Sequence, residues 1–170
     1  GLRLQGLSRY QEAVDVYRMA QGFKPDFLDA FYNMGVAYGC MEENGIDALH
    51  KAVWVFKKSI DINEEFIHSY TALGASYIKQ NELELAIQVL TRALGVDPED
   101  SNVSYYLGIA HRMNMQFPQA VDYMRQAVAL KPDSVQVQFY FGLSLMDIEL
   151  FDEASAAFRE VVRIKPDFAE

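Results

Sequence analysis

The sequence contains three histidines and one cysteine, the residue types best suited to proton transfer, nucleophilic attack or metal binding. His50, His68 and His111 form no HExxH motif and no His–Cys cluster with the spacing of metal ligands. Cys40 has no neighbouring base in the sequence, so we expect a partly buried structural thiol rather than a nucleophile. The glycines form no phosphate-binding loop. The sequence therefore predicts no enzyme activity, no metal site and no cofactor.

Charge and composition restrict the classes of partner. The net charge is −9, whereas binding to a nucleic-acid backbone or an anionic membrane surface needs clustered Lys and Arg. No apolar run reaches the roughly 18 residues of a membrane span. We therefore expect a protein or peptide partner, no nucleic acid and no membrane insertion. The single cysteine cannot form an internal disulfide, and no targeting segment is visible, so we expect a cytoplasmic location.

A pattern of large and small residues recurs along the chain with a period of about 34 residues. Each copy reads as two amphipathic helices, a short turn and a proline-marked exit. The recurring anchors are Leu73, Gly74, Ala86 and Pro98, then Leu107, Gly108, Ala120 and Pro132, then Phe141, Gly142, Ala154 and Pro166. No single copy can bury its apolar stripe alone, so the pattern predicts that neighbouring copies stack.

These anchors resemble those of the tetratricopeptide repeat (TPR) family, and the resemblance covers essentially the whole chain. It implies an all-α fold, a right-handed α-solenoid of helix-turn-helix repeats, in which the first helix of each repeat lines a concave face. It also implies a protein-interaction function. Asn33 is the one match to the Lys, Asn and Arg pattern of repeats that clamp a chaperone's carboxylate tail, so that specific function is not expected.

The alignment predicts a single array over residues 1–170, which we expect to be part of a longer chain because Gly1 falls inside a first helix. Residues 1–27 form a partial repeat. The second repeat carries a five-residue insertion near residues 41–46, which should lengthen its second helix by about a turn. The predicted repeats after the first are residues 28–66, 67–100, 101–134 and 135–168.

Glycine recurs in the first helices at Gly35, Gly74, Gly108 and Gly142. A glycine inside a helix costs roughly 1 kcal/mol relative to alanine, so its recurrence asks for a packing reason. Close approach of the two helices of a repeat supplies that reason.

One face of each predicted first helix does not pack on its partner helix, and this face is aromatic and aliphatic rather than polar. Exposed apolar patches rich in tyrosine are typical of binding surfaces. The predicted peptide-binding groove comprises Asp29, Tyr32, Asn33, Val36, His68, Thr71, Asn102, Tyr105, Tyr106, Ile109, Arg112, Gln136, Phe139, Tyr140 and Leu143. For Tyr106 and Tyr140, packing between adjacent repeats is an equal alternative.

Trp54 occupies a position on the outward side of the second repeat. It is either a convex contact for a partner or, the interpretation we favour, a cover for the extra turn beside His50. The function predicted for the chain is a protein–protein interaction scaffold. Two alternatives stay open: self-association through incomplete repeats at the ends, and a segment that positions substrates for a larger enzyme.

Overall fold

The computed structural model describes residues 9–24, 26–41 and 45–166. In these ranges the chain forms nine α-helices and no strand. The partial helix predicted before Leu7, most of the insertion between 41 and 46, and the last four residues lie outside the described part. The helices are α1 (Tyr10–Phe23), α2 (Leu28–Gly39), α3 (Gly45–Ile62), α4 (Ile67–Lys79), α5 (Leu83–Val96), α6 (Ser101–Met113), α7 (Phe117–Leu130), α8 (Val135–Asp147) and α9 (Phe151–Ile164).

Helices α1 to α4 belong to the first of two compact units, which ends at Glu82. Helix α2 packs on α1 and α3, α3 packs on α4, and α2 also contacts α4. Helix α3 has 18 residues where α1 has 14, so the repeat with the insertion carries a longer second helix. The apolar interior of this unit includes Val14, Ala30, Ala52 and Val55. Ala52 and Val55 lie three residues apart on α3, which puts them on one face of that helix.

Helices α5 to α9 belong to the second unit, which begins at Leu83. Consecutive helices pack on one another, and α6 also contacts α8. Leu90, Leu107, Met124 and Leu145 are fully buried. Leu107 follows the buried Leu73 by 34 residues and Met124 follows Leu90 by 34, so burial follows the period of the sequence.

Turns within and between repeats are closed by specific backbone bonds. In the turn between α6 and α7 the Gln116 amide donates to the His111 carbonyl at 2.8 Å. Met115 in this turn has a φ of 58°, the left-handed conformation that ends many helices. At the start of α6 the Asp100 carboxylate accepts hydrogen bonds from the Asn102 and Val103 amides, which caps the helix.

The expectation for Cys40 is wrong, because its side chain is exposed. Cys40 is the C-terminal cap of α2, beyond the last residue that packs against a neighbouring helix. Helical periodicity does not extend to a cap position, so it could not predict the exposure of Cys40.

Glycines in the first helices lie where the second helix of the same repeat comes closest. A Cβ built on Gly35 would lie 2.5 Å from the Phe56 ring, and one on Gly142 would lie 2.6 Å from the Phe158 ring. At Gly108 the nearest atom is Cγ of Met124, at 2.7 Å. Real Cβ atoms do not approach other atoms so closely, so close helix contact does explain these three glycines.

Gly142→Ala is expected to lower the free energy of unfolding by about 1 kcal/mol. Overpacking against the rigid Phe158 ring costs about 1–3 kcal/mol, and the higher helix propensity of alanine offsets about 1 kcal/mol of that. Gly95→Ala in α5 is the matched control, because nothing lies within 4 Å of a Cβ at that position. The control should gain up to about 1 kcal/mol in urea unfolding. Equal shifts in the same direction would contradict the packing explanation.

Candidate functional site

Four aromatic side chains of α6 and α8 form one connected group, which we name the Tyr105 cluster: Tyr105, Tyr106, Phe139 and Tyr140. The Tyr105 ring centroid lies 5.1 Å from that of Tyr106 and 5.6 Å from that of Tyr140. The Phe139 and Tyr140 centroids are 5.8 Å apart. All three pairs meet edge to face, an arrangement that aromatic rings prefer. The structure therefore brings together Tyr105 and Tyr140, which lie 35 positions apart in the sequence.

The rings of the Tyr105 cluster are half-buried. Burial raises the pKa of the Tyr105 phenol to about 12, and the neighbouring Tyr140 and Tyr106 add to the shift. Burial also raises the pKa of Tyr106. A phenol resists ionisation where water is scarce, so the cluster provides an apolar surface that is still partly accessible.

Arg112 of α6 forms an ion pair with Asp147 of α8, so it is paired within the protein. Its Nε donates to Oδ2 of Asp147 at 2.5 Å, and Nη2 donates to Oδ1 at 3.4 Å. Both side chains are less than one-third exposed. Arg112 was predicted as a groove residue, whereas Asp147 was not. The only sequence signal for Asp147 is that it directly follows the position of α8 that corresponds to Arg112 in the repeat. The pair links α6 to α8.

Tyr32 is the centre of a second aromatic group, in the first unit. Its ring centroid lies 5.4 Å from that of Phe66 and 6.1 Å from that of His68. The Phe66 ring also meets His68 edge to face at 5.4 Å. Phe66 was not predicted, because it precedes α4 as its N-terminal cap and so lies outside the helical pattern.

Two polar groove residues of the first unit use donors within their own helices. Nδ2 of Asn33 donates to the Asp29 carbonyl at 2.7 Å. The Thr71 hydroxyl donates to the Ile67 carbonyl at 3.1 Å. These donors are therefore engaged, which leaves aromatic surface as the main feature of this group.

The remaining predicted groove residues divide by exposure. Polar ones are exposed and aliphatic ones are half-buried, as expected for the rim and the floor of a surface. The exposed set is Asp29, His68, Asn102 and Gln136, and the half-buried set is Val36, Ile109 and Leu143. Asp29, Val36 and His68 belong to the first unit. The others, Asn102, Ile109, Gln136 and Leu143, belong to the second.

Trp54 lies on α3 with 56% of its surface exposed. It lines a cleft together with His50 and residues of α1 and α2.

Among the described residues no group of three His, Cys, Asp or Glu side chains could hold a metal ion. None of the described helices combines the length and the apolar character that crossing a membrane requires.

A difference titration tests the environment of Tyr105. The ultraviolet absorbance of phenolate is followed with pH in the wild type and in Tyr105→Phe, and the difference curve should have its midpoint near pH 12. Because the raised pKa belongs to the folded state, its contribution to stability is complete below pH 10 and is lost as the pH rises toward 12. A midpoint near pH 10 would show a fully hydrated phenol.

Comparison with known proteins places the chain among repeat proteins. A family model described as "Tetratricopeptide repeat" matches residues 71–135 and 114–169, which together are more than half of the chain. The predicted fold class, an all-α solenoid of helix-turn-helix repeats, is confirmed by this match and by solved structures.

Two solved structures from different organisms are similar to this chain. MamA (41-end) from Desulfovibrio magneticus RS-1 has a TM-score of 0.80 and 21% identity, with 98% of this chain and 91% of that chain covered. TTC0263, a thermophilic TPR protein of Thermus thermophilus, has a TM-score of 0.78 and 20% identity, with 98% and 88% covered. At these identities the likeness concerns the fold alone.

A curated relative is the UDP-N-acetylglucosamine–peptide N-acetylglucosaminyltransferase of Giardia intestinalis. It is 28% identical over 76 residues, which are 45% of this chain. The matched stretch spans only 5% of the length of that relative.

Proposed function

The chain belongs to the tetratricopeptide repeat family, and we propose that it is a scaffold that holds a segment of a partner protein against its first helices. The Tyr105 cluster is the observation that carries this proposal. Its rings come from two helices, are fixed by one another and remain half-exposed. Rigid aromatic side chains bury a large area and lose little conformational entropy when a partner binds, which is why they dominate binding energies.

A polar rim supports the same interpretation. Asn102 and Gln136 are exposed beside the cluster on α6 and α8, and the Arg112–Asp147 pair lies on the same two helices. Binding interfaces combine an apolar centre with polar groups that set orientation rather than affinity. In the first unit, Tyr32 and His68 with Asp29 nearby offer a smaller surface of the same kind. The proposed partner is therefore a peptide or helix that presents apolar side chains.

Tyr105→Ala combined with Phe139→Ala is expected to weaken binding by at least about tenfold, since truncation of each hot-spot side chain costs more than about 1 kcal/mol. Proteins retained by the full-length protein would first be identified, and the affinity of a purified one measured by calorimetry. The matched control is Met115→Ala with Phe23→Ala, which removes apolar side chains that are 78% and 93% exposed but belong to neither aromatic group.

Circular dichroism shows whether both double variants keep the helicity of the wild type. Undiminished affinity of the Tyr105 and Phe139 variant, or an equal loss in the control, would refute the groove assignment.

A second candidate function is the positioning of protein substrates for an enzyme. It is favoured by the match to a peptide-modifying transferase. The retained proteins distinguish the two functions, because substrates would be covalently changed by the full-length protein and scaffold partners would not.

Self-association is a further proposal for the last repeat. Phe151 and Val162 are exposed on α9, and with Met146 they line an apolar cleft of about 480 Å³. A second chain could cover this face, since exposed apolar patches of this kind are typical of association surfaces. Val162→Glu should then shift sedimentation from a concentration-dependent oligomer to a monomer, and a wild-type monomer at high concentration would end the proposal.

A further inference from the structure

A second surface, separate from the aromatic groove, lies between α1, α2 and α3. We propose that this surface, the Trp54 cleft, binds a short acidic peptide segment, with one apolar side chain against Trp54 and a neighbouring carboxylate on Arg18 and Lys51. This inference goes beyond the scaffold function of the first helices and does not depend on it. The cleft has a volume of about 550 Å³. That volume fits one or two side chains of a peptide.

The floor of the Trp54 cleft is mainly apolar. Met34 and Tyr38 of α2 and Val55 of α3 form it, and all three are buried. Trp54 stands at its side with more than half of its surface in solvent. An indole exposed beside an apolar floor is a common anchor point for a partner's side chain. The prediction that Trp54 covers the extra turn beside His50 therefore does not account for the cleft that Trp54 forms with residues of α1 and α2.

A buried amide lines the same cleft without a partner. Nε2 of Gln21 is buried and makes no hydrogen bond. A buried donor left unpaired is destabilising, so a ligand that supplies an acceptor there recovers that free energy. Peptide carbonyls and carboxylates are such acceptors.

Three basic side chains converge on the Trp54 cleft: Arg18 from α1, and His50 and Lys51 from α3. Nη2 of Arg18 donates to the Tyr38 hydroxyl at 3.2 Å, which holds the guanidinium over the cleft. Arginine and lysine side chains favour carboxylate ligands, and arginine can bind one with two parallel hydrogen bonds.

Two aspartates lie beside these cations and do not remove their binding capacity. Asp15 is 3.8 Å from Arg18, and Asp47 is 2.5 Å from Lys51. All four side chains are more than half exposed. Exposed ion pairs of this kind contribute little to stability, so a ligand carboxylate that also gains apolar contact can share or replace them.

The basic character is specific to the repeat with the insertion. The positions that correspond to His50 and Lys51 in the later repeats are acidic, apolar or uncharged polar, and those that correspond to Trp54 hold no aromatic residue. They are Glu84, Leu85 and Gln88, then Pro118, Gln119 and Asp122, then Asp152, Glu153 and Ala156. Within a chain of net charge −9, this cleft is therefore a place where an acidic segment meets cations and an aromatic ring together.

The test uses the single tryptophan of the chain as its own reporter. Short random peptides displayed on phage are selected on the wild-type protein and counter-selected on Trp54→Ala, which removes peptides that bind outside the Trp54 cleft. We expect the enriched peptides to carry Asp or Glu beside an apolar residue, and to shift Trp54 fluorescence on titration. No enriched peptide, enrichment without acidic residues, or an unchanged Trp54 emission would each overturn the proposal.

Matched variants then separate local contact from net charge. Lys51→Glu should weaken binding of the selected peptide by at least about tenfold, equivalent to about 1.4 kcal/mol. Lys58→Glu is the control, since Lys58 lies on the same helix, pairs with Asp61 at 3.1 Å and does not line the cleft. The variant with Tyr105→Ala and Phe139→Ala should bind the peptide as the wild type does. Equal losses in Lys51→Glu and Lys58→Glu would show attraction by overall charge and refute the assignment.

Discussion

Close contact between the two helices of a repeat is the constraint on which the described packing depends. At Gly35 and Gly142 the absence of a Cβ lets a phenylalanine ring lie directly on the backbone of the first helix. The ring then fills the space that a side chain would occupy, and the opposite face of the first helix stays free of that contact. Helix pairing of this kind therefore decides which residues are available to a partner.

The fold could be predicted from the sequence because its determinants are local and repeated. The anchors at Leu107, Gly108 and Ala120 specify a pair of helices, and their recurrence specifies stacking. Helix α3 begins at Gly45, within the stretch near residues 41–46 where the sequence predicts the insertion. Cys40 was misjudged because a cap position follows no periodicity, so its burial depends on where the helix ends.

The candidate site could be predicted only in part. Periodicity identified the face that holds Tyr105 and Phe139, but it could not give the partners of these residues. The contacts of Asp147 and Phe66 could not be predicted, because their partners, Arg112 and Tyr32, lie on other helices and more than 30 residues away in the sequence. The Trp54 cleft combines three helices, and no pattern within one repeat indicates that Gln21 lines it.

Contacts in the second unit run mainly between consecutive helices, with α6 and α8 as the additional pair. Chain segments that meet are therefore near one another along the polypeptide, which keeps the loop entropy of each folding step small. Any adjacent pair of helices in this unit can serve as a nucleus, and the others can add to it one by one. The same short-range connectivity means that fraying at α9 need not reach α5, so ordered and opened helices can coexist in one molecule.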